Sequence, residues 1–221
     1  DFLKKTPLDF KPGTDWNYSN TGYFLLGFII QKVTGMKYPD VVKKYIFKPL
    51  QMDHSGFDFK KLVDEKKSKG YQFIYKNNFR EAFLYDNNEL FSAGGMFSTV
   101  GDLYKFHLGM QSYEIINREL TEKAYTAIKN NYGYGWFVDS ISGNRIISHS
   151  GGASGFRSYL VRDTKNDICI VLLCNTENSE VVAIKNKILD ILFNRPYKLP
   201  RQTSLSISQI SKYEGAYRLS P

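Results

Sequence analysis

Lys11-Pro12-Gly13-Thr14-Asp15-Trp16-Asn17-Tyr18-Ser19-Asn20-Thr21-Gly22-Tyr23 is the stretch from which the rest of the chain can be read. Pro12-Gly13 marks a turn. From Thr21 the chain continues Gly-Tyr-Phe-Leu-Leu-Gly-Phe-Ile-Ile-Gln-Lys-Val-Thr and stops at Gly35, the pattern of an apolar helix closed by a C-terminal glycine. Ser19 or Asn20 supplies the N-cap. A phenol, a hydroxyl and a carboxamide are thereby gathered at the mouth of a helix whose composition predicts burial, beside backbone N–H groups that have no intrahelical partner. Two readings of Tyr18 and Asn20 follow. One is a capped helix with a core tyrosine; the other is half of a site.

Working outward, residues 1–17 read as a loop. Pro39 opens a second helix at the first-turn position that proline favours, and this helix runs to Pro49. Residues 51–88 are polar and poorly periodic, with one short strand near Tyr71–Tyr75, a long excursion of the kind that is usually functional or mobile. Thr99 and Asp102 form a Thr-x-x-Asp helix start, followed by an apolar stripe of Val100, Leu103, Phe106 and Met110. A further helix is expected from Thr121 to about Lys129.

Beyond it the period changes to two. Tyr132–Val138, Arg145–Ser148, Gly155–Arg162 and Ile168–Cys174 read as strands joined by short connections, and connections this short require antiparallel pairing. Glu180–Phe193 returns as an amphipathic helix over the sheet. The predicted class is therefore α+β, a helical part beside an antiparallel sheet flanked by helices. Residues 1–195 form one domain. Residues 196–221 read as a linker, with the first strand of a further small module at Leu205–Tyr217.

Composition narrows the function classes. With 42% hydrophobic and 15% aromatic residues among 221, the chain can build a core and is not disordered. The net charge of +8 comes from scattered cations without a nucleic-acid-binding signature, so no nucleic acid partner is expected. An anionic cell envelope fits the charge equally well, and solubility alone would also explain it. Cys169 and Cys174, five residues apart on one strand, point to opposite faces and cannot bridge. His54, His107 and His149 are far apart and match no ligand spacing, so neither a metal nor another cofactor is expected.

His149-Ser150-Gly151-Gly152-Ala153-Ser154-Gly155-Phe156 closes the second strand. Its glycines allow close approach of a ligand to the strand edge, where an unpaired N–H can face a developing oxyanion. A glycine hairpin carrying a surface histidine is the other reading. Taken together, Pro12-Gly13-Thr14 with Tyr18-Ser19-Asn20-x-Gly22-Tyr23, Pro49-Leu50-x-Met52, Ala93-Gly94-Gly95-Met96 with Ser98 and Asp102, and His149-Ser150-Gly151-Gly152 resemble, in order and spacing, the serine β-lactamase and penicillin-binding protein superfamily. The resemblance is to its class C β-lactamase, DD-peptidase and esterase-like branch, and it covers Phe10 to about Phe193.

The resemblance implies a β-lactamase/transpeptidase-like fold and a division of labour. Tyr18 is the implied general base; its phenol, with an ordinary pKa near ~10, needs a nearby cation to favour phenolate. Asn20 is implied to hold the substrate amide, His149-Ser150-Gly151 to lie along the substrate, and the Gly152 N–H to donate to the oxyanion. Histidine replaces the usual lysine at position 149, and an imidazole of ordinary pKa ~6.5 is a weak fixed charge near neutrality. Arg157 is then the candidate partner for a substrate carboxylate, with a solvated strand arginine as the other reading.

Ser-x-x-Lys, the motif that carries the family's nucleophile, does not occur. Thr34-Gly-Met-Lys37 and Thr126-Ala-Ile-Lys129 have its spacing but not its serine. The expectation is a serine acyl hydrolase, D-Ala-D-Ala peptidase or esterase-like, with the nucleophile and its lysine upstream of Asp1. The implied partners are small-molecule, peptide or ester substrates and β-lactam-type inhibitors, with an extracytoplasmic location. The alternative is a non-catalytic peptide- or glycan-binding or regulatory protein on the same fold.

Overall fold

The computed structural model describes residues 7–75, 78–198, 204–213 and 215. The chain divides into two compact units, residues 1–186 and 187–221.

The first unit opens with helix α1, Asn20–Thr34. Ser19 is its cap: the Gly22 N–H donates to Ser19 Oγ at 3.1 Å, and Gly35 closes the helix in the left-handed conformation at φ +67°. The predicted burial of α1 is not met. Gly27 is its one buried residue, while Leu25, Leu26, Ile29 and Val33 are 46–79% exposed. Its composition predicts burial, yet these side chains stand open.

Helix α2, Tyr38–Val42, carries Pro39 in its first turn and continues as π-helical turns over Lys43–Phe47. Val42, Phe47, Leu50 and Met52 form one buried cluster with Phe57 and Phe106 against it, which assigns Pro49-Leu50-x-Met52 a packing role. The 51–88 excursion holds β1, Gly56–Phe57, and a hairpin of β2, Tyr71–Tyr75, with β3, Asn78–Glu81. Sequence shows only β2, because every residue of β3 is exposed and no alternation marks it. Helix α3, Asn87–Gly94, leads to β4, Met96–Phe97, which pairs with β1.

Thr99 caps helix α4, Val100–Gln111, as predicted. Helix α5 is displaced from expectation, spanning Arg118–Ala124. Asn117 caps it by accepting the Leu120 N–H at 2.9 Å, and the Tyr134 N–H takes the Ala124 carbonyl at 3.2 Å, ending the helix early.

The four-stranded sheet is antiparallel in the order β5-β6-β7-β8, with β5 Phe137–Ile141, β6 Asn144–Ala153, β7 Phe156–Asp163 and β8 Ile168–Cys174. The first strand starts five residues later than predicted. Tyr132 makes only isolated bridges to Lys129 and Phe137, because Gly133 and Gly135, the latter at φ +81°, break the extended run. The turn into β6 is Ser142-Gly143, both at positive φ, as a type I′ hairpin requires. β6 itself continues to Ala153, so its glycines lie within the strand and not beyond it.

Register sorts the sheet faces. Ile147 pairs with Arg162, His149 with Leu160 and Gly151 with Ser158, and this face is covered by α4 and α5: Met110, Ala124 and Tyr125 cluster with Ile147. Arg162, fully buried, donates to His107 Nδ1 at 3.0 Å, to the His107 carbonyl and to the Tyr125 hydroxyl. Gly152, Arg157 and Tyr159 lie on the other face, where Lys185 of helix α6, Val181–Leu192, sits 5.2 Å over the Tyr159 ring. Cys169 pairs with Arg162 and Cys174 with Arg157; they face opposite ways and are free.

In the second unit Arg195 pairs with Asp190 at 3.2 Å. The strand expected at Leu205–Tyr217 is instead helical where it is described, as α7, Ile207–Ile210, and a 3-10 turn at Ser211–Tyr213. A Ser206/Gln209 capping box starts that helix, and residues 214, 216 and 217 lie outside the described residues. No helix among the described residues is long and apolar enough to cross a membrane.

Candidate active site

Three segments converge at the start of the glycine run. Tyr18 and Tyr23 come from the mouth of α1, Tyr132 from the loop before β5, and His149 from β6. The rings of Tyr18 and His149 lie 5.8 Å apart, and Tyr18 is 5.7 Å from Tyr23 and 5.9 Å from Tyr132. Sequence residues 131 positions apart are thus neighbours. α1 is held in this place by α3: Ser92 Oγ donates to the Tyr23 carbonyl at 2.9 Å, and Phe91 packs between Phe24 and Phe28.

Hydroxyls link the cluster. Tyr23 and Tyr132 share a hydrogen bond of 2.7 Å, Tyr132 Oη is 3.0 Å from His149 Nε2, and His149 Nδ1 is 2.7 Å from the Ser150 carbonyl. Burial, followed by the bond from Tyr23, pushes the Tyr132 phenol far above its ordinary value. Burial and then the adjacent Tyr23 also push the Tyr18 phenol up. That direction runs against the phenolate a general base needs. Among the described residues, no side chain hydrogen-bonds to the Tyr18 hydroxyl.

The strand edge itself is open. The two-residue turns Ser142-Gly143 and Ser154-Gly155 make Ile141/Asn144 and Ala153/Phe156 hydrogen-bonded pairs. Counting by two along β6, even-numbered residues direct N–H and C=O toward β5, and odd-numbered ones toward β7. The Val138 N–H, which donates away from β6 to the Asn131 carbonyl at 2.7 Å, agrees with this parity. β5 reaches only as far as Ser148. The N–H groups of Ser150 and Gly152 therefore face no strand, and both residues are exposed. Such an edge accepts an extended chain by strand addition.

The other predicted residues separate. Asn20, in the first turn of α1, is exposed at the same mouth as Tyr18. Ser150 and Gly151 lie beside His149. Arg157 does not join them: it occupies the opposite face, across from Gly152, and its Nη1 donates to the Ala153 and Phe156 carbonyls at 3.2 and 2.8 Å. Ser98 and Asp102 are framework. The buried Asp102 carboxylate accepts the His54 N–H and the Ser55 hydroxyl, each at 2.8 Å, tying the β1 approach to the start of α4.

A cleft of about 170 Å³ opens beside His149, lined by Met96, Leu103, Leu160 and Leu173 with the hydroxyls of Ser98 and Ser158. Among the described residues, no carboxylate, ammonium or guanidinium lines it. Sequence reasoning missed Tyr23 and Tyr132, along with Trp16 and Phe137, whose rings lie 5.3 and 4.8 Å from that of Tyr132. The signal was the run Tyr132-Gly-Tyr-Gly-Trp136, in which glycines every second residue argue against a continuous strand. Among the described residues, no group of His, Cys, Asp and Glu side chains is arranged to hold a metal ion.

Comparisons with known proteins bear on the family and the fold. The family model described as Beta-lactamase matches residues 1–194. Penicillin-binding protein 4* of Bacillus subtilis is 29% identical, with 95% of this chain and 52% of that protein covered. Among solved structures, the octameric penicillin-binding protein homologue from Pyrococcus abyssi is 28% identical at a TM-score of 0.72, covering 84% of this chain and 44% of that one. A D-stereospecific amidohydrolase from Streptomyces sp. is 25% identical at a TM-score of 0.71, covering 84% and 56%. The chain spans about half the length of the curated relatives it matches.

Proposed function

This chain belongs to the beta-lactamase family, and from that premise we propose that it forms one wall of a serine acyl-hydrolase site of the penicillin-recognising type. The open β6 edge beside Tyr18 carries this reading. An extended acyl substrate pairs with the Ser150 and Gly152 backbone, its carbonyl oxygen at the Gly152 N–H and Asn20 at its amide. A serine hydroxyl attacks the carbonyl carbon and gives up its proton. The C–N or C–O bond of the substrate breaks, the leaving amine or alcohol takes a proton, and water then cleaves the acyl-serine ester. The serine, and the lysine that would draw Tyr18 toward phenolate, belong to a segment outside residues 1–221, since no Ser-x-x-Lys occurs within them. Substrates are D-amino-acid peptides or esters and β-lactams act as inhibitors; the net charge of +8 and the family support a location at the cell envelope.

The test is acylation of the complete polypeptide by a fluorescent penicillin or a fluorophosphonate. Tyr18→Phe is expected to slow labelling by roughly two to four decades, the usual worth of a positioned acid–base group. Absence of label on the complete polypeptide refutes the enzyme, and an undiminished rate in the variant removes Tyr18 as base. The same raised Tyr18 phenol favours a second reading, a non-catalytic protein that holds peptide or glycan along the same edge. Binding of unreactive peptide without labelling would select it.

A further inference from the structure

We infer that Tyr132 is a positioning residue that, with the Ser150 carbonyl, holds His149 with its proton on Nδ1 and its Nε2 closed off. The site therefore takes acyl substrates without a carboxylate at the group facing His149, namely esters and carboxamides. The substrate half of this inference rests on the acyl-hydrolase reading above.

The argument starts from the one partner whose role cannot change. A backbone carbonyl has no proton to give, so at 2.7 Å from the Ser150 oxygen His149 Nδ1 must be the donor. Two states of the ring remain, the uncharged Nδ1–H form and the imidazolium. In the uncharged form the lone pair lies on Nε2, and it is met at 3.0 Å by Tyr132 Oη. Tyr132 is buried and keeps its proton, so it donates, and its oxygen accepts in turn from Tyr23 at 2.7 Å. Every polar atom of the chain is satisfied in one direction.

The geometry is that of the uncharged Nδ1–H form, with the Nε2 lone pair facing the Tyr132 hydroxyl. Among the described residues no carboxylate pairs with His149, and Asp15, next to Trp16, is held by Lys129 at 2.9 Å. The ring is further fixed by Tyr18 at 5.8 Å and Phe137 at 5.6 Å. The consequence for recognition is electrostatic. The place where a lysine would present a fixed cation offers instead a ring with both nitrogens occupied inside the protein. Arg157 is turned to the other sheet face, and the adjoining cleft is lined by apolar side chains and hydroxyls. A substrate carboxylate entering there would lose its water without gaining a counter-charge from the described residues.

The test has two arms. The 221-residue chain contains three histidines, so long-range proton–nitrogen NMR of the imidazole rings, assigned with His149→Gln, reads the tautomer directly. The His149 ring is expected to show a protonated Nδ1 and an Nε2 that accepts from Tyr132, and Tyr132→Phe, which leaves the Ser150 carbonyl in place, is expected to keep Nδ1–H while shifting the Nε2 resonance as that bond is lost. Tyr23→Phe, which leaves the Tyr132 donor in place, should keep the Nδ1–H form. An Nε2–H tautomer or an imidazolium in the unmodified chain overturns the inference, as does an Nε2 resonance that Tyr132→Phe leaves unmoved. In the complete polypeptide, a peptide ending in a carboxamide is expected to exceed its carboxylate counterpart in kcat/KM by at least about tenfold, the worth of one unmatched charge contact of about 1.4 kcal/mol. His149→Lys should narrow that ratio. Preference for the carboxylate peptide refutes the substrate class, whereas turnover of neither refutes the acyl-hydrolase reading and leaves Tyr132 to be judged by the NMR arm.

Discussion

Replacing Gly27 with alanine sets helix propensity against packing. Gly27 sits inside α1, where alanine is favoured over glycine by about 1 kcal/mol, so local propensity alone predicts a more stable protein. Tertiary structure predicts the reverse. A Cβ built on Gly27 would stand 2.1 Å from Ser92 Oγ, 2.5 Å from Ser92 Cβ and 2.6 Å from Phe91 Cε1. The Ser92 Cβ cannot swing aside, so α1 must move away from α3. Overpacking of this kind costs about 1–3 kcal/mol. The displaced Ser92 hydroxyl also loses its bonds to the Tyr23 and Phe24 carbonyls, worth about 1 kcal/mol. Set against the propensity gain, the net expectation is a loss of about 1–3 kcal/mol. At the urea dependence of about 2–3 kcal/mol/M typical of such a size, the midpoint falls by about 0.3–1.5 M. Far-UV circular dichroism measures it. Because α1 carries Tyr18 and Tyr23, the Tyr132–His149 hydrogen bond should loosen as well, visible in the imidazole NMR signals. Adding Ser92→Gly should recover part of the loss. A Gly27→Ala chain as stable as the parent, or more so, refutes the packing argument.

Two further outcomes follow from buried polar groups. His107 is buried, and its pKa is pushed below the ordinary histidine value by desolvation and by the facing Arg162 guanidinium. The unfolded chain then binds the proton more readily, so stability should fall as pH drops below about 6.5 toward the lower folded value. His107→Asn, which keeps an acceptor for Arg162, should flatten that part of a plot of Tm against pH; an unchanged slope sinks the assignment. Asp102→Ala leaves the His54 N–H and the Ser55 hydroxyl without their acceptor, at about 2–4 kcal/mol for two partners stranded near a buried carboxylate site. Thermal melting should register this, and a loss under about 0.5 kcal/mol would show that water replaces the carboxylate.

Much of the fold was legible because its signals are local. Ser19 and Gly35 bracket α1, Thr99 caps α4, and the apolar run Ile168–Cys174 between polar turn residues is visible residue by residue. The miscalculations lie where a distant partner decides. Tyr132 leaves the strand because Gly135 turns the chain and Tyr134 goes back to close α5. β3 has no pattern of its own and exists only because β2 pairs with it.

The same division holds at the site. By itself the sequence determined which chemical groups are available: a phenol and a carboxamide at a helix mouth, and a histidine leading a glycine run, in an order that identifies the family. Tertiary structure alone decided how they are used. It withdrew Arg157, since strand alternation sends side chains at odd and even separations to opposite faces and the pairing register puts Arg157 across from Gly152. It also brought Tyr23 to Tyr132 across 109 positions of chain and Tyr132 to His149 across 17, because the direction of a hydrogen bond is set by which groups meet in space, and no periodicity in a single strand records that.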